Sequence, residues 1–523
     1  MDLSRRDFMK TAVTGSLALG SAGLLSSCGI NPNTIRAAAH QASGPPRRGG
    51  TLQAAITGGS SADTLDPLSA VSNADFSRVN NLFEPLLGLT PQAQPMFVLA
   101  DELTPNATAT EWTLRLKSGI TFHNGKDLTA DDVIYTFRTV LNPKAPAAAA
   151  AGLASIDAAG MTKLDPLTVR IPCKTPFATL HQALAIPTYS DVIPVGFNPK
   201  APVGTGPFRL KSFTPGVQST FVRYDGYWQP GLPYLDEVVI TDYTDQTSQV
   251  NALLSGQVHV VNLLSADVIA VVESQGKNIL ISEGAGWNPF TMRVDAAPLN
   301  DRRVRQALRL VVDRPQMLEI LFSGHGTLGN DVFGIWSSDY NHSLPQRHQD
   351  IPQAKALLKA AGAEGLSIEL VSSDIGQATI QAAEVLAQQA TAAGINIKVN
   401  QVTVTDFFGP NYLKWVFAQD YWYYNFYLPQ VSLATLPTSP FNECHFHDPA
   451  YIKLYEQAIA TIDTAKRQEL AREMQLIDYT DGGYIIPFFP PVIDGYGSNV
   501  NGLIPSKGGL SLNAYDFKQL WLS

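Results

Sequence analysis

Residues 111–143 read EWTLRLKSGITFHNGKDLTADDVIYTFRTVLNP, and their pattern decides the fold class. Trp112, Leu114 and Leu116 alternate with polar residues, and this alternation predicts a strand with one buried face. Thr129 begins a second pattern, because a threonine followed three residues later by an acidic residue caps the first turn of a helix. A strand followed closely by a helix indicates an α/β protein.

Strands and helices continue to alternate along the rest of the chain. GTLQAAI at 50–56 is typical of a first strand, and residues 366–404 give a strand, a helix that stops at Gly394, and a second strand. Residues 298–315 predict one amphipathic helix, with valines and leucines on one face and arginines on the opposite face. Asp448, followed by proline, is expected to cap another helix.

The size and composition of the chain narrow the protein class. The chain has 523 residues, more than one hydrophobic core usually supports, so at least two lobes are expected. Hydrophobic residues make up 45% and charged residues 16%, which is typical of a folded globular protein. The net charge of −9 leaves no basic surface for nucleic acid. Cys28, Cys173 and Cys444 are too far apart to predict a disulfide framework or a paired zinc site.

Residues 1–28 have the features of a bacterial export signal. Arg5 and Arg6 precede a modestly apolar run that is too short to span a bilayer, and the arginine pair resembles a twin-arginine signal. The sequence LSSC ending at Cys28 resembles a lipobox, which predicts an acylated cysteine and a lipid anchor; a plain signal peptide with an incidental cysteine is the alternative. Residues 29–48 are expected to be a flexible tether, with the folded body outside the cytoplasm.

The aromatic run QDYWYYNFYLP at 419–429 is either a core strand or the wall of a ligand site. In an extended segment, Trp422 and its alternate neighbours form an apolar face, while Tyr421 and its alternate neighbours form an amphipathic one. A buried strand is the simpler interpretation. The second face argues for a ligand wall, because buried tyrosine hydroxyls need polar partners and a polar ligand supplies them.

Several segments together resemble family 5 of the solute-binding proteins of ABC importers, the oligopeptide, dipeptide and nickel type. Their order and spacing hold from about residue 48 to the end of the chain. The segments are RGGTLQAAI with TLDP at 64–67, LFEPLLGL at 82–89, WTLRLKSGITFHNGKDLTADDVIYTF at 112–137, VGTGPFRLKSF at 203–213 with residues 224–228, and PLNDRRVRQAL at 298–308.

The resemblance implies an α/β, two-lobed periplasmic-binding-protein fold of type II, with an extra subdomain inserted in the first lobe. The lobes would close on a ligand by a hinge, which the chain crosses near Trp287 and near Pro487. The implied division is a first lobe at 49–288 with the inserted subdomain at about 91–200, a second lobe at 289–487, and a return to the first lobe at 488–523.

The resemblance also implies a function. The protein would be an extracytoplasmic receptor, not an enzyme, and would carry a peptide, opine, sugar or similar small polar solute to an ABC permease. It would be a monomer without a cofactor, touching the membrane only through its lipid anchor. The residues expected to bind the solute are Asn425, Phe426, Tyr427 and Tyr424 in the aromatic run, Trp287 and Asn288 at the hinge, and Ser60 and Asp63 in the loop after the first strand.

One family feature is missing from this sequence. Members often carry G-W-x-x-D-x-x-D-P, in which an aspartate meets the free α-amine of a bound peptide. That stretch falls on NFYLPQVS here, where Phe426 matches the aromatic residue but Pro429 and Gln430 occupy the place of the acidic partner. Because burying an ammonium without a carboxylate is costly, recognition of a free α-amine stays open.

The sequence bears on two functional classes other than a receptor. Glu443, His445 and His447 in the loop NECHFHD at 442–448 offer ligands that suit zinc or nickel, so an exported metal or metal-chelate binding protein is the alternative. Histidines in a polar loop are, however, usually solvated. The sequence has no G-x-S-x-G, H-E-x-x-H or G-x-x-x-x-G-K motif, and so offers no catalytic constellation.

Overall fold

A computed structural model describes residues 44–424 and 426–523. The predicted signal peptide, its Cys28 and the tether up to residue 43 lie outside the described residues. None of the helices in the described part is long and apolar enough to cross a membrane. The helices of six residues or more are Asn73–Leu82, Ala130–Val140, Leu180–Ala185, Gln246–Leu254, Ile269–Ser274, Arg302–Leu310, Arg314–Phe322, Ile351–Ala361, Thr379–Ala390, Tyr427–Ala434, Pro449–Ala460 and Thr464–Asp481.

A seven-stranded sheet contains the predicted first strand, Thr51–Thr57. This strand runs parallel to Glu237–Tyr243 along its whole length and parallel to Val260–Val261 on its other side. The loops that follow these parallel strands therefore meet at one edge of the sheet. The spatial order is Asn278–Ser282, Val492–Tyr496, Val260–Val261, Thr51–Thr57, Glu237–Tyr243, Gln218–Arg223 and Phe208–Thr214.

A five-stranded sheet contains the strand–helix–strand unit predicted over 366–404. Its two strands pair in parallel, and Gly394, with φ of 78°, ends the intervening helical segment as expected. The spatial order is Asn396–Gln401, Ser367–Ser372, Phe417–Gln419, Phe290–Met292 and Tyr484–Ile485.

A four-stranded sheet confirms the prediction for residues 111–143. The strand Glu111–Leu116 buries alternate side chains, and the helix Ala130–Val140 follows it. The carboxylate of Asp132 accepts the backbone N–H of Thr129 at 2.9 Å, which closes the predicted cap. The sheet order is Ala100–Pro105, Glu111–Leu116, Thr168–Pro172 and Thr162–Asp165, and two-stranded sheets join Leu87–Leu89 to Pro95–Phe97, Thr327–Leu328 to Phe488–Phe489, and Val500–Asn501 to Trp521–Leu522.

The membership of the sheets follows the predicted division of the chain. The seven-stranded sheet takes its strands from residues 51–282 and from Val492–Tyr496, whereas the five-stranded sheet takes all of its strands from residues 290–485. The four-stranded sheet lies within the predicted inserted subdomain. The lobe boundaries stay a prediction, which this partition supports.

The single helix predicted over 298–315 is instead two helices, Arg302–Leu310 and Arg314–Phe322, and not all of its arginines face water. The guanidinium of Arg309 is fully buried and donates to the carbonyls of Asp478 and Gly482 at 3.1 and 2.8 Å. The last carbonyls of a helix lack intrahelical partners, and Arg309 donates to carbonyls at the end of the helix Thr464–Asp481, including that of Tyr479.

Candidate functional site

The chain passes from the seven-stranded to the five-stranded sheet at Trp287. Trp287 and Trp422 form an antiparallel bridge, in which each backbone N–H donates to the carbonyl of the other residue at 2.9 Å. The Trp287 ring is buried between Phe333 and Trp422, with centroid distances of 5.2 and 5.9 Å. Trp287 is therefore a packing residue of the hinge region in this conformation, and its predicted contact with a solute stays a prediction.

The aromatic run 419–429 is not the strand that its alternation predicted. The strand covers only Phe417–Gln419, and the helix Tyr427–Ala434 follows after a loop. Asp420 follows the strand, and its carboxylate accepts the backbone N–H of Tyr421 at 2.7 Å. Pro429 fits the first turn of the helix, where its missing N–H costs no hydrogen bond. The alternation expected for the run therefore does not continue into Phe426 and Tyr427.

Phe426 and Tyr427 are fully buried at the start of this helix. The hydroxyl of Tyr427 donates to the carboxylate of Asp478 at 2.5 Å and lies 3.2 Å from the hydroxyl of Tyr451. Burial, together with the charge of Asp478, raises the pKa of Tyr427 well above its usual value. Both side chains face protein in this conformation, so their predicted contact with a solute stays a prediction. Asn425 lies outside the described residues.

Tyr424 and Asn288 bind backbone carbonyls of distant segments. The hydroxyl of Tyr424 donates to the carbonyl of Ala93 at 3.1 Å. The amide of Asn288 donates to the carbonyl of Gln377 at 2.8 Å. Both side chains are buried and hold separate parts of the chain together around the hinge region.

Ser60 and Asp63 shape the loop after the first strand. The Asp63 carboxylate accepts the backbone N–H of Ser60 at 2.8 Å and pairs with the buried guanidinium of Arg78 at 2.8 Å. Arg78 also pairs with Asp242 at 2.5 Å and lies 4.0 Å from Asp75. Burial alone would raise the pKa of Asp63, but the hydrogen bonds from Ser60 and Arg78 outweigh it and lower the pKa. The carboxylate is thus already engaged within the protein.

Three aromatic side chains, Phe408, Tyr421 and Tyr423, form a surface that we call the aromatic wall. Neighbouring rings meet edge to face, with centroids 6.3 Å apart between Phe408 and Tyr421 and 5.7 Å apart between Tyr421 and Tyr423. Tyr423 is 47% exposed, and its ring meets Phe76 of the helix Asn73–Leu82 at 6.1 Å. These residues were absent from the predicted ligand set, although the amphipathic-face argument pointed to the two tyrosines.

Two buried carboxyl groups, Asp420 and Glu443, are neighbours, and Asp420 directly precedes Tyr421 of the wall. Asp420 accepts a hydrogen bond from the Tyr412 hydroxyl at 3.0 Å, and Glu443 accepts one from the Trp422 indole at 3.1 Å and another from the Tyr484 hydroxyl. Burial raises the pKa of Asp420 to about 6. Burial, reinforced by the charge of Asp420, raises the pKa of Glu443 well above its usual value. Glu443 is therefore the carboxyl group of the pair that is harder to ionise.

The structure does not assemble the alternative metal site at 442–448. Glu443 is engaged in the core as described, whereas His447 is exposed. His445 lies 3.1 Å from the carboxylate of Asp295 through its Nδ1 atom. Across residues 44–424 and 426–523, no three histidine, cysteine, aspartate or glutamate side chains are placed to hold a metal ion.

In the family motif, an aspartate that binds the α-amine of a peptide occupies the position of Pro429 and Gln430. This position lies inside the helix Tyr427–Ala434. Gln430 is 1% exposed there, and neither its amide oxygen nor its amide nitrogen has a hydrogen-bond partner among the described residues. This position therefore presents a neutral amide where a carboxylate would be needed to balance an ammonium.

Comparisons with known proteins agree with this architecture. A family model described as "Bacterial extracellular solute-binding proteins, family 5 Middle" matches residues 94–446. The glutathione-binding protein GsiB of Escherichia coli strain K12 is 25% identical over 482 residues, which cover 86% of this chain and 92% of that protein.

Solved structures share the fold at low sequence identity. The periplasmic binding protein DppA from Helicobacter pylori, in complex with the peptide STSA, has a TM-score of 0.76 and 19% identity over 91% of this chain and 98% of its own. The binding protein AgaA from A. tumefaciens R10, in complex with agropinic acid, has a TM-score of 0.75 and 22% identity over 91% of this chain and 99% of its own. The fold is the two-lobed α/β fold of periplasmic binding proteins.

Proposed function

Because the chain belongs to family 5 of the bacterial extracellular solute-binding proteins, we propose that it captures a small polar solute between its two lobes and delivers it to the membrane subunits of an ABC importer. Closure of two lobes around a ligand is a shift of population, stabilised by contacts that both lobes make in the closed form. The relatives' names and complexes, with glutathione, a peptide and agropinic acid, support a solute of this size and polarity.

The aromatic wall is the observation that carries the proposal. Its most exposed ring, Tyr423, belongs to the predicted second lobe and meets Phe76 of the predicted first lobe. Exposed aromatic rings beside hydroxyl groups suit a ligand with both an apolar face and polar edges, since the rings stack while the hydroxyls donate and accept hydrogen bonds. A solute between the lobes would touch both sides of this contact.

The charges around the wall favour a solute without a free α-amine. The carboxylates of Asp63 and Asp420 already accept hydrogen bonds from Arg78 and Tyr412. Gln430 has a neutral amide at the position where the family motif has its amine-binding aspartate. A buried ammonium would lack a counter-charge from these residues, so we propose a sugar-like or opine-like solute, or a peptide whose amine is modified.

We further propose that the receptor works outside the cytoplasm, as a monomer without catalytic activity, held on a membrane by lipid on Cys28. The lipobox-like sequence before that cysteine supports the anchor. Labelling of the protein with a radioactive fatty acid in a bacterial host, lost in Cys28→Ala, tests the anchor separately from solute binding.

A thermal-shift screen of the full-length chain tests the function. Peptides, sugars, opines, polyamines and divalent metals form the panel, and a solute at a hundredfold excess over its Kd adds about 2.7 kcal/mol to stability. We expect an organic solute to raise the midpoint of thermal unfolding. Tyr423→Ala should reduce this increase, whereas Tyr423→Phe should keep the part of it that comes from stacking on the ring. Phe97→Ala is the control, because Phe97 is 44% exposed and lies in the strand Pro95–Phe97, within the inserted subdomain. Stabilisation by metal alone would contradict the proposal.

A further inference from the structure

A second contact between the predicted lobes uses residues other than those of the aromatic wall. It joins Trp336 and Asp339 of the second lobe to Gln94 and Gln182 of the inserted subdomain. The amide of Gln182 donates to Asp339 Oδ2 at 2.9 Å, and both residues are buried. The amide of Gln94 donates to the backbone carbonyl of Trp336 at 3.0 Å. These bonds connect residues far apart in the chain and hold two predicted units together.

The side chain of Trp336 reaches into the first lobe. Its indole N–H donates to the carbonyl of Gly284 at 3.3 Å. The ammonium of Lys507 lies 3.6 Å from the centroid of its ring, a distance at which a cation is attracted to the aromatic face. The ring also packs against the hydrophobic core that contains the strand Thr51–Thr57. Trp336 thus belongs to the predicted second lobe, but its indole N–H and its ring face both contact residues of the predicted first lobe.

Two further hydrogen bonds follow the same boundary. The hydroxyl of Tyr424 donates to the carbonyl of Ala93 at 3.1 Å. The backbone N–H of Ala178 donates to the carbonyl of Ile459 at 2.8 Å. Any movement of the second lobe away from the inserted subdomain must break these bonds together with those of the two glutamines, because all of them cross the same boundary.

Two unsatisfied buried oxygens lower the free-energy cost of separating this contact. Asp339 Oδ1 and Gln182 Oε1 are buried, yet neither oxygen accepts a hydrogen bond from any described residue. Water reaches both oxygens once the surfaces separate, and this gain offsets part of the loss of the bond between the two side chains. The nearby guanidinium of Arg467 interacts favourably with the Asp339 charge while the contact is formed.

We propose that the segment Trp336–Asp339 is a latch, which holds the second lobe against the inserted subdomain while the cleft is closed and lets go when it opens. The proposal rests on the proposed function only in that a cleft must open and close. A latch of this kind sets the ratio of open to closed molecules before any solute arrives, and so sets how fast a bound solute leaves.

Hydrogen–deuterium exchange of the full-length chain, without added solute, tests the latch. The Ala178 amide reports opening, because its N–H bond crosses the boundary. We expect both Gln182→Ala and Gln94→Ala to speed exchange of the Ala178 amide. The increase should be about tenfold for Gln182→Ala, which loses a hydrogen bond to a charged carboxylate, and smaller for Gln94→Ala. Amides of the strand Thr168–Pro172, which pair within the inserted subdomain, should keep their rates.

Gln218→Ala is the matched control, because its amide donates to Thr241 at 3.0 Å within the seven-stranded sheet. It should leave the Ala178 amide unchanged. If Ala178 exchanges at the wild-type rate in both latch variants, the proposal is wrong. Should Gln182→Ala fail to fold, the result for Gln94→Ala alone is decisive. A failed latch leaves the thermal-shift response to solutes intact, whereas faster exchange without any solute response would instead contradict the receptor function.

Discussion

At the scale of single residues, Glu443 shows the conflict between burial and charge most directly. Its carboxyl group is buried beside Asp420 and accepts hydrogen bonds from Trp422 and Tyr484. Its pKa is well above the usual value of 4.5 in the folded chain, whereas the unfolded chain keeps the usual value. The folded protein therefore holds a proton that the unfolded chain gives up.

This difference predicts how stability depends on pH. The contribution of Glu443 is fully present below its unfolded pKa of 4.5 and is lost as the pH rises toward the higher folded pKa. Glu443→Gln stays neutral and should remove a fall of about 1.4 kcal/mol in the free energy of unfolding per pH unit, measured by urea denaturation as the pH rises above about 5. The exposed Glu369→Gln is the control. A wild-type slope in Glu443→Gln would show that burial does not raise the pKa of Glu443.

Arg78 should be a second residue with a large effect on stability. Its guanidinium is fully buried and balances the carboxylates of Asp63 and Asp242. Arg78→Met leaves these groups buried without a counter-charge, and should lower the free energy of unfolding by about 3–5 kcal/mol in urea at neutral pH. Adding Asp242→Asn should recover part of the loss. A cost below about 1 kcal/mol would mean that the carboxylates are satisfied without the arginine.

At the scale of elements, the cap of the helix Pro449–Ala460 gives a direct test. The Asp448 carboxylate accepts the backbone N–H of Tyr451 at 2.8 Å, as the Asp-Pro pair predicted. Asp448→Ala should lower the free energy of unfolding by about 1 kcal/mol, whereas Asp448→Asn, which can still cap, should cost less. Equal losses in the two variants, measured by urea denaturation, would argue that charge rather than capping geometry stabilises the helix start.

Local sequence signals predicted those elements whose boundaries are set locally. The cap at Thr129, the stop at Gly394 and the alternation in Glu111–Leu116 depend on residues within one or two turns, and the structure confirms all three. The run 419–429 was assigned wrongly as one strand because its second half begins the helix Tyr427–Ala434, whose first residue is held by Tyr451 and Asp478, which are distant in the chain. Helical periodicity likewise could not show that Arg309 faces buried carbonyls.

At the scale of the whole molecule, the order of family segments predicted the two-lobed α/β architecture, but the order of segments does not determine which side chains are exposed. Phe426 and Tyr427 were predicted to bind the solute and are buried, while the neighbouring Tyr423 is 47% exposed. The difference arises where a loop becomes a helix, because side chains on either side of that change no longer alternate. Glu443, likewise, turns into the core instead of joining His445 and His447.

Small-angle X-ray scattering of the full-length chain, with and without the solute that gives the largest thermal shift, tests the central claim most directly. A receptor that closes its lobes on one solute must become more compact on saturation, and Tyr423→Ala should need more solute to reach the same compact form. We predict a smaller radius of gyration at saturation. A solute that stabilises the chain with no change in the radius of gyration, in wild type and variant alike, would contradict binding by closure of the cleft.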